Sequence, residues 1–175
     1  PSGLFLNRHL EQVAGTSVTV VMEGKRPLLG EVQALVSKTQ IPVPRRAVSG
    51  LDSARMAMIL AVLHKRAKLP LGDQDVYLAT VGGMKMTEPA SDLAVALAVA
   101  SAYLDVPVPP RMVAVGEVGL AGEVRRAPGV GRRLAEAARL GFDRALVPPD
   151  AGPLPDGIRA LVVPDLGAAL DVIAR

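Results

Sequence analysis

The chain has 175 residues, half of them apolar, with a formal net charge of +3 and a sequence pI near 9.6. That is enough for a single domain burying about two-thirds of its surface, and the balance is only mildly basic. With no cysteine and two histidines, disulfides, zinc ribbons and thiol catalysis are excluded and a metal site is argued against.

Residues 1–16 carry Leu4, Phe5 and Leu6 and then a polar turn with Glu11, Gln12 and Gly15, and read as a linker entering a domain that spans residues 17–175. The opening at Pro-Ser-Gly, without a start methionine, is expected of a piece of a longer protein. Residues 16–22 are rich in β-branched side chains and read as a strand, 23–27 as its turn, and 28–36 as the returning partner. The turn carries Lys25 and Arg26 side by side at an exposed tip. Residues 37–49 hold Pro42, Pro44, Arg45 and Arg46 and read as a loop or sheet edge.

A helix follows to Lys65, capped by Ser49 or Asp52, with Met56, Ile59, Leu60 and Leu63 on its apolar face. His64 sits among cations on its polar face and reads as solvated. Residues 75–81 are a strand, ended by Gly82-Gly83. Pro89 marks a second helix start, because a proline in the first turn loses no hydrogen bond. This helix runs to about Leu104, with Leu93, Leu97, Ala100 and Leu104 on one face and alanines elsewhere, and is expected to be buried nearly all round. Ser91 and Asp92 are expected to cap or solvate its first turn.

Residues 106–111 form a proline-rich crossover and 112–115 a short buried strand. Gly116, Gly119 and Gly122 recur at intervals of three without any GxxxxGK[ST] pattern, and read as turns and bulges. Residues 130–140 are amphipathic, with Leu134, Ala137, Ala138 and Leu140 inward and Arg132, Arg133, Glu136 and Arg139 outward, ended by Gly141 as an αL cap. Strands at 144–147 and 159–163 and a helix at 166–174 complete an α/β pattern with a mixed sheet. No apolar run reaches the roughly 18 residues of a membrane span, and the start lacks a secretory pattern, so a soluble, cytoplasmic protein is expected.

The turn before Pro89, the buried alanine-rich helix, the VPVPPR connection, GEVGLAGEV and the GRRLAEAARLGF helix together resemble the protease domain of Lon. The closer resemblance is to the Lon-like C-terminal domain of the RadA (Sms) family of bacterial DNA-repair proteins, and it runs from PSGLFL through MEGKRPLLGEVQALV and GLDSARMAMILAVLHKR to LGFDRALVPP. The resemblance implies a Lon protease proteolytic-domain-like fold in one domain. It implies a non-proteolytic module attached to a RecA-like ATPase domain of the same protein, which forms a homohexameric ring on single-stranded or branched DNA. ATP, magnesium and zinc would belong to the other domains of such a protein, with none of them bound by this stretch, and a recombinase would be among its partners.

In Lon the nucleophilic serine follows the helix-opening proline, and its lysine base opens the helix after a Gly-Gly turn. Those positions are Ala90 and Gly131 in this chain, so neither group is present. Ser91 lies one residue on, a step of about 100° around the helix. With Lys85 as base it is the alternative peptidase reading, since a desolvated lysine can be activated; a purely structural oligomerisation module is another.

The four aromatics, Phe5, Tyr77, Tyr103 and Phe142, are too few for a base-stacking platform, so nucleic acid would be met through its phosphates. Arg26 with Lys25, Lys85, and Arg125 with Arg126 are the candidates, because each stands at a turn or strand end. Arg45, Arg46, Arg132 and Arg133 rank second. Lys85 is flanked by Met84 and Met86, and must be either solvated or paired, with Glu88 the nearest acid.

Overall fold

The computed structural model describes residues 13–173, which leaves most of the expected linker outside the described residues. Thr16–Glu23 (β1) and Arg26–Lys38 (β2) form an antiparallel hairpin whose register runs from Thr16 opposite Gln33 to Glu23 opposite Arg26. The returning strand is longer than its sequence pattern suggested, because β2 also pairs along its far half with Gln74–Thr80 (β4). Arg46–Ser49 (β3) lies parallel to β4 at the sheet edge, where the preceding prolines cost no ladder bonds.

Met112–Ala114 (β5), Arg144–Val147 (β8) and Arg159–Val162 (β9) extend the sheet on the other side of β1, giving the order β3-β4-β2-β1-β5-β8-β9. Only β2 is antiparallel to its neighbours; the remaining pairs are parallel. The carboxyl ends of β1, β3, β4, β5, β8 and β9 therefore share one edge of the sheet. Beyond the end of β5, Glu117–Val118 (β6) and Val124–Arg125 (β7) make a small separate hairpin, with Gly119 and Gly122 in its turn.

Three helices cover one face: Ser53–Lys65 (α1), Asp92–Leu104 (α2) and Leu166–Leu170 (α4). Asp52 caps α1 by accepting from the Ala54 N–H at 3.1 Å, and Met56, Ile59, Leu60 and Leu63 are buried as their spacing predicts. In α2 every side chain from Asp92 to Ser101 is buried. Complete burial of Leu93 and Leu97 contributes about 1.5–3 kcal/mol each, and the alanines between them let the helix lie close to the sheet. Leu104 departs from the expected inward face and is 38% exposed, because the helix turns out at Asp105, which is left-handed at φ 55°.

The opposite face is covered by Val130–Arg139 (α3) over Val18, Val20, Val113 and Val147. Residue 81 leaves the expected strand for a short 3-10 turn, Val81–Gly83. The last helix is shorter than its 166–174 expectation: α4 ends at Leu170 and continues as turns through Ile173, with residue 174 outside the described residues.

Candidate nucleic-acid interface

The five first-ranked cations leave the sheet from one edge. Lys25 and Arg26 stand exposed on the β1–β2 tip, Lys85 on the loop after β4, and Arg125 and Arg126 at the end of the β6–β7 hairpin that follows β5. The first two loops follow the carboxyl ends of β1 and β4, and the β6–β7 hairpin follows that of β5; these three strands run in the same direction, and this is the edge at which open α/β sheets present their binding loops. Arg45 and Arg46 enter β3 at the opposite edge, where the Arg46 guanidinium donates to the carbonyls of Gln74 and Leu71.

The Lys85 loop is held from beneath. Met84 and Met86 pack towards Gly30, where an added Cβ would lie 3.0 Å from the Met86 Sδ and 3.2 Å from the Met84 Sδ. The Met86 N–H donates to the Gly50 carbonyl at 2.8 Å, and the Thr80 hydroxyl donates to the Met84 carbonyl at 2.5 Å. With both neighbours turned inward, Lys85 is exposed. It lines a groove of about 570 Å3 whose other wall is the end of β1, at Met22 and Glu23.

Arg132 joins the tip, since its guanidinium donates to the Lys25 carbonyl. The Arg139 guanidinium, bonded to Glu136, holds that carboxyl below the usual range, and the charge of Arg26 adds to the effect. Arg125 is paired: its Nε and Nη2 donate to one oxygen of Glu123 at 3.0 and 2.9 Å. Glu123's own backbone N–H, and then Arg125, keep the Glu123 carboxyl below its ordinary value.

Arg133 corrects its expected outward placement. Its side chain is fully buried and reaches three elements: Nη1 donates to the Val20 carbonyl at 2.8 Å, Nε to the Pro128 carbonyl at 2.9 Å, and the fork grips both oxygens of Glu88 at 2.5 and 3.2 Å. The Glu88 carboxylate also accepts from the Met22 N–H at 3.1 Å. Glu88 is thus bound to Arg133, so of the two alternatives for Lys85, solvated or paired with Glu88, the solvated one holds.

Ala90 and Gly131, where the resemblance to Lon would put the serine and lysine, carry a methyl group and a hydrogen. Ala90 is buried in the cluster that also holds Val130 and Leu134, and a Cβ at Gly131 would come within 2.7 Å of the Pro153 carbonyl oxygen. Ser91 and Asp92 do not cap α2 as expected. Asp92 instead binds Arg55, accepting from Nε at 2.8 Å and from Nη2 at 2.5 Å, and takes the Val118 N–H at 3.1 Å. Ser91 is buried and its hydroxyl has no hydrogen-bond partner among the described residues, so Lys85 does not reach it.

Sequence reasoning missed Arg55 and Asp92 as pairing residues and offered Glu88 only Lys85, because the partners come from distant elements. It also gave His64 no contact, whereas its Nδ1 accepts the Leu71 N–H at 3.2 Å. No group of three or more acidic, histidine or cysteine side chains stands ready for a metal among the described residues, and no helix among them is long and apolar enough to cross a membrane.

A family model described as subunit ChlI of Mg-chelatase matches residues 41–151. A protein of Mycolicibacterium smegmatis named DNA repair protein RadA is 56% identical over 173 residues, 99% of this chain and 37% of its own length. Proteins of the same name from Escherichia coli K12 and Streptococcus pyogenes serotype M1 are 48% and 44% identical over 98% and 99% of the chain. The chain spans less than two-fifths of the length of these relatives, 37–39%.

Proposed function

This chain belongs to the family described as subunit ChlI of Mg-chelatase, and from that premise, joined to its likeness to DNA-repair proteins, we propose that it is the Lon-like, non-proteolytic part of a RecA-type repair ATPase. In that reading it scaffolds a homohexameric ring in the cytoplasm and helps hold single-stranded or branched DNA by its phosphates during branch migration. ATP, magnesium and zinc are handled by other domains of the same polypeptide, its RecA-like ATPase domain is its first partner, and a recombinase is another.

The observation that carries the reading is the gathering of Lys25, Arg26, Lys85, Arg125 and Arg126 along the carboxyl-end edge of the sheet. In a ring whose subunits present this edge to the lumen, each copy offers three exposed basic loops to a strand threading through. Guanidinium and ammonium groups displace counterions from phosphates without reading bases, which suits a protein that must travel along any sequence. The chemistry of the Lon positions supports the non-proteolytic half of the proposal, since neither Ala90 nor Gly131 supplies a nucleophile or base.

The test is a salt titration of single-stranded DNA binding by the assembled full-length protein, wild type against Arg26→Ala, Lys85→Ala and Arg125→Ala. Log affinity is expected to fall with log salt by about 0.7 per phosphate contact, and each substitution is expected to flatten that slope without changing base preference. Three variants with the parent's slope and affinity overturn the assignment.

A further inference from the structure

Ser91 ends the 3-10 turn Pro89–Ser91 just before α2. Its side chain is 2% exposed and its hydroxyl meets no protein partner among the described residues. Buried hydroxyls are almost always satisfied, because leaving one unpaired forfeits its hydrogen bonds to water with nothing in return. The same side chain lines a cavity of about 10 Å3 shared with Arg55, Glu88 and Asp92 and closed by Met56, Met86 and Val95. A space of that size is close to the least that accommodates one water, and a water held there needs two to four polar neighbours.

Those neighbours are present in the right sense. Three carboxylates line the cavity, Asp52, Glu88 and Asp92, and the last two are acceptors with lone pairs beyond those used by Arg55, Val118, Arg133 and Met22. We propose that the cavity is a site for one ordered water, which accepts from the Ser91 hydroxyl and donates to the carboxylates of Asp92 and Glu88. The water joins two ion pairs, Arg55–Asp92 and Arg133–Glu88, into one network that runs from α1 through the head of α2 to α3. Ser91 is then a water-holding residue rather than a spare nucleophile.

The experiment pairs an atomic-resolution crystal structure of the chain with thermal unfolding of Ser91→Ala. The expected results are a density peak within about 3.2 Å of the Ser91 Oγ and of a carboxylate oxygen, and a melting temperature about 2–4 °C lower in the variant, since the water loses a partner. Deleting a hydroxyl that had no partner would do the reverse and raise the melting temperature. A cavity without that peak, or a melting temperature in Ser91→Ala that is unchanged or higher, overturns the proposal.

Discussion

Arg133 and Glu88, 45 residues apart in the chain, meet as a two-pronged ion pair in which the guanidinium is completely buried. The pair ties α3 to the segment entering α2, and the Arg133 donors also secure the carbonyls of Val20 and Pro128. Removing the cation leaves a carboxylate, the buried Val20 carbonyl and the Pro128 carbonyl short of donors at once. Arg133→Ala is therefore expected to cost about 3–5 kcal/mol in urea unfolding, with the denaturant slope unchanged. Glu88→Gln keeps a hydrogen-bonding shape and should cost less. An Arg133→Ala loss below about 1 kcal/mol, the range of exposed pairs, would mean that the pair is not sealed from water.

Arg125 is bound to Glu123 across the surface of the β6–β7 hairpin. A phosphate recruiting that guanidinium has to compete with the carboxylate. Glu123→Gln is thus expected to strengthen single-stranded DNA binding by the assembled protein by about 1.5- to 5-fold, the equivalent of one exposed ion pair. The gain should shrink at high salt and vanish when Arg125→Ala is added. A gain that survives the loss of Arg125 would place the effect elsewhere, in the net charge of the edge.

Much of this arrangement could be read in the sequence, and the failures have physical causes. The β1–β2 hairpin, α1, the buried helix and the glycine turns follow from period and from proline and glycine chemistry, which are local. Arg133 failed because its charge was given more weight than its spacing. Val130, Arg133, Leu134 and Ala137 stand at i, i+3, i+4 and i+7, the inward stripe of a helix, and all four are buried. The pattern was present, but nothing local announced the carboxylate that would receive the guanidinium. Asp92 is similar: an acid at a helix start suggests capping, and only the tertiary approach of Arg55 diverts it. Grouping the basic loops on one edge required the strand directions, which the pattern of apolar residues does not encode.

Asp75 sets a pH dependence at the opposite edge. The Arg45 backbone N–H donates to it at 2.7 Å, and this bond, more than the Arg45 charge, holds the carboxyl below its ordinary value. A carboxyl depressed in the folded state stabilises the fold above the unfolded-state pKa of about 3.9, and the contribution is lost as pH falls through the lower folded value. Asp75→Asn should therefore lower stability at neutral pH and flatten the decline on the acid side of about pH 4. Parallel stability-against-pH curves for parent and variant would show that Asp75 takes no part in it.

Placing serine at residue 90 and lysine at residue 131, where the resemblance to Lon would put its pair, tests whether the packing there has room for them. Ala90→Ser puts a hydroxyl into an apolar cluster shared with Val130 and Leu134, and Gly131→Lys drives a Cβ to within 2.7 Å of the Pro153 carbonyl oxygen. That oxygen belongs to the backbone, so relief requires the segment after β8 to move, and overpacking of this kind costs about 1–3 kcal/mol. The double variant is expected to melt below the parent and to leave unfolded casein uncut. A hydroxyl at residue 90 would be packed among Val130 and Leu134 rather than presented to a base. Casein cleavage that needs both new residues would show that the loss of two side chains, and not the repacking around them, separates this chain from a working peptidase.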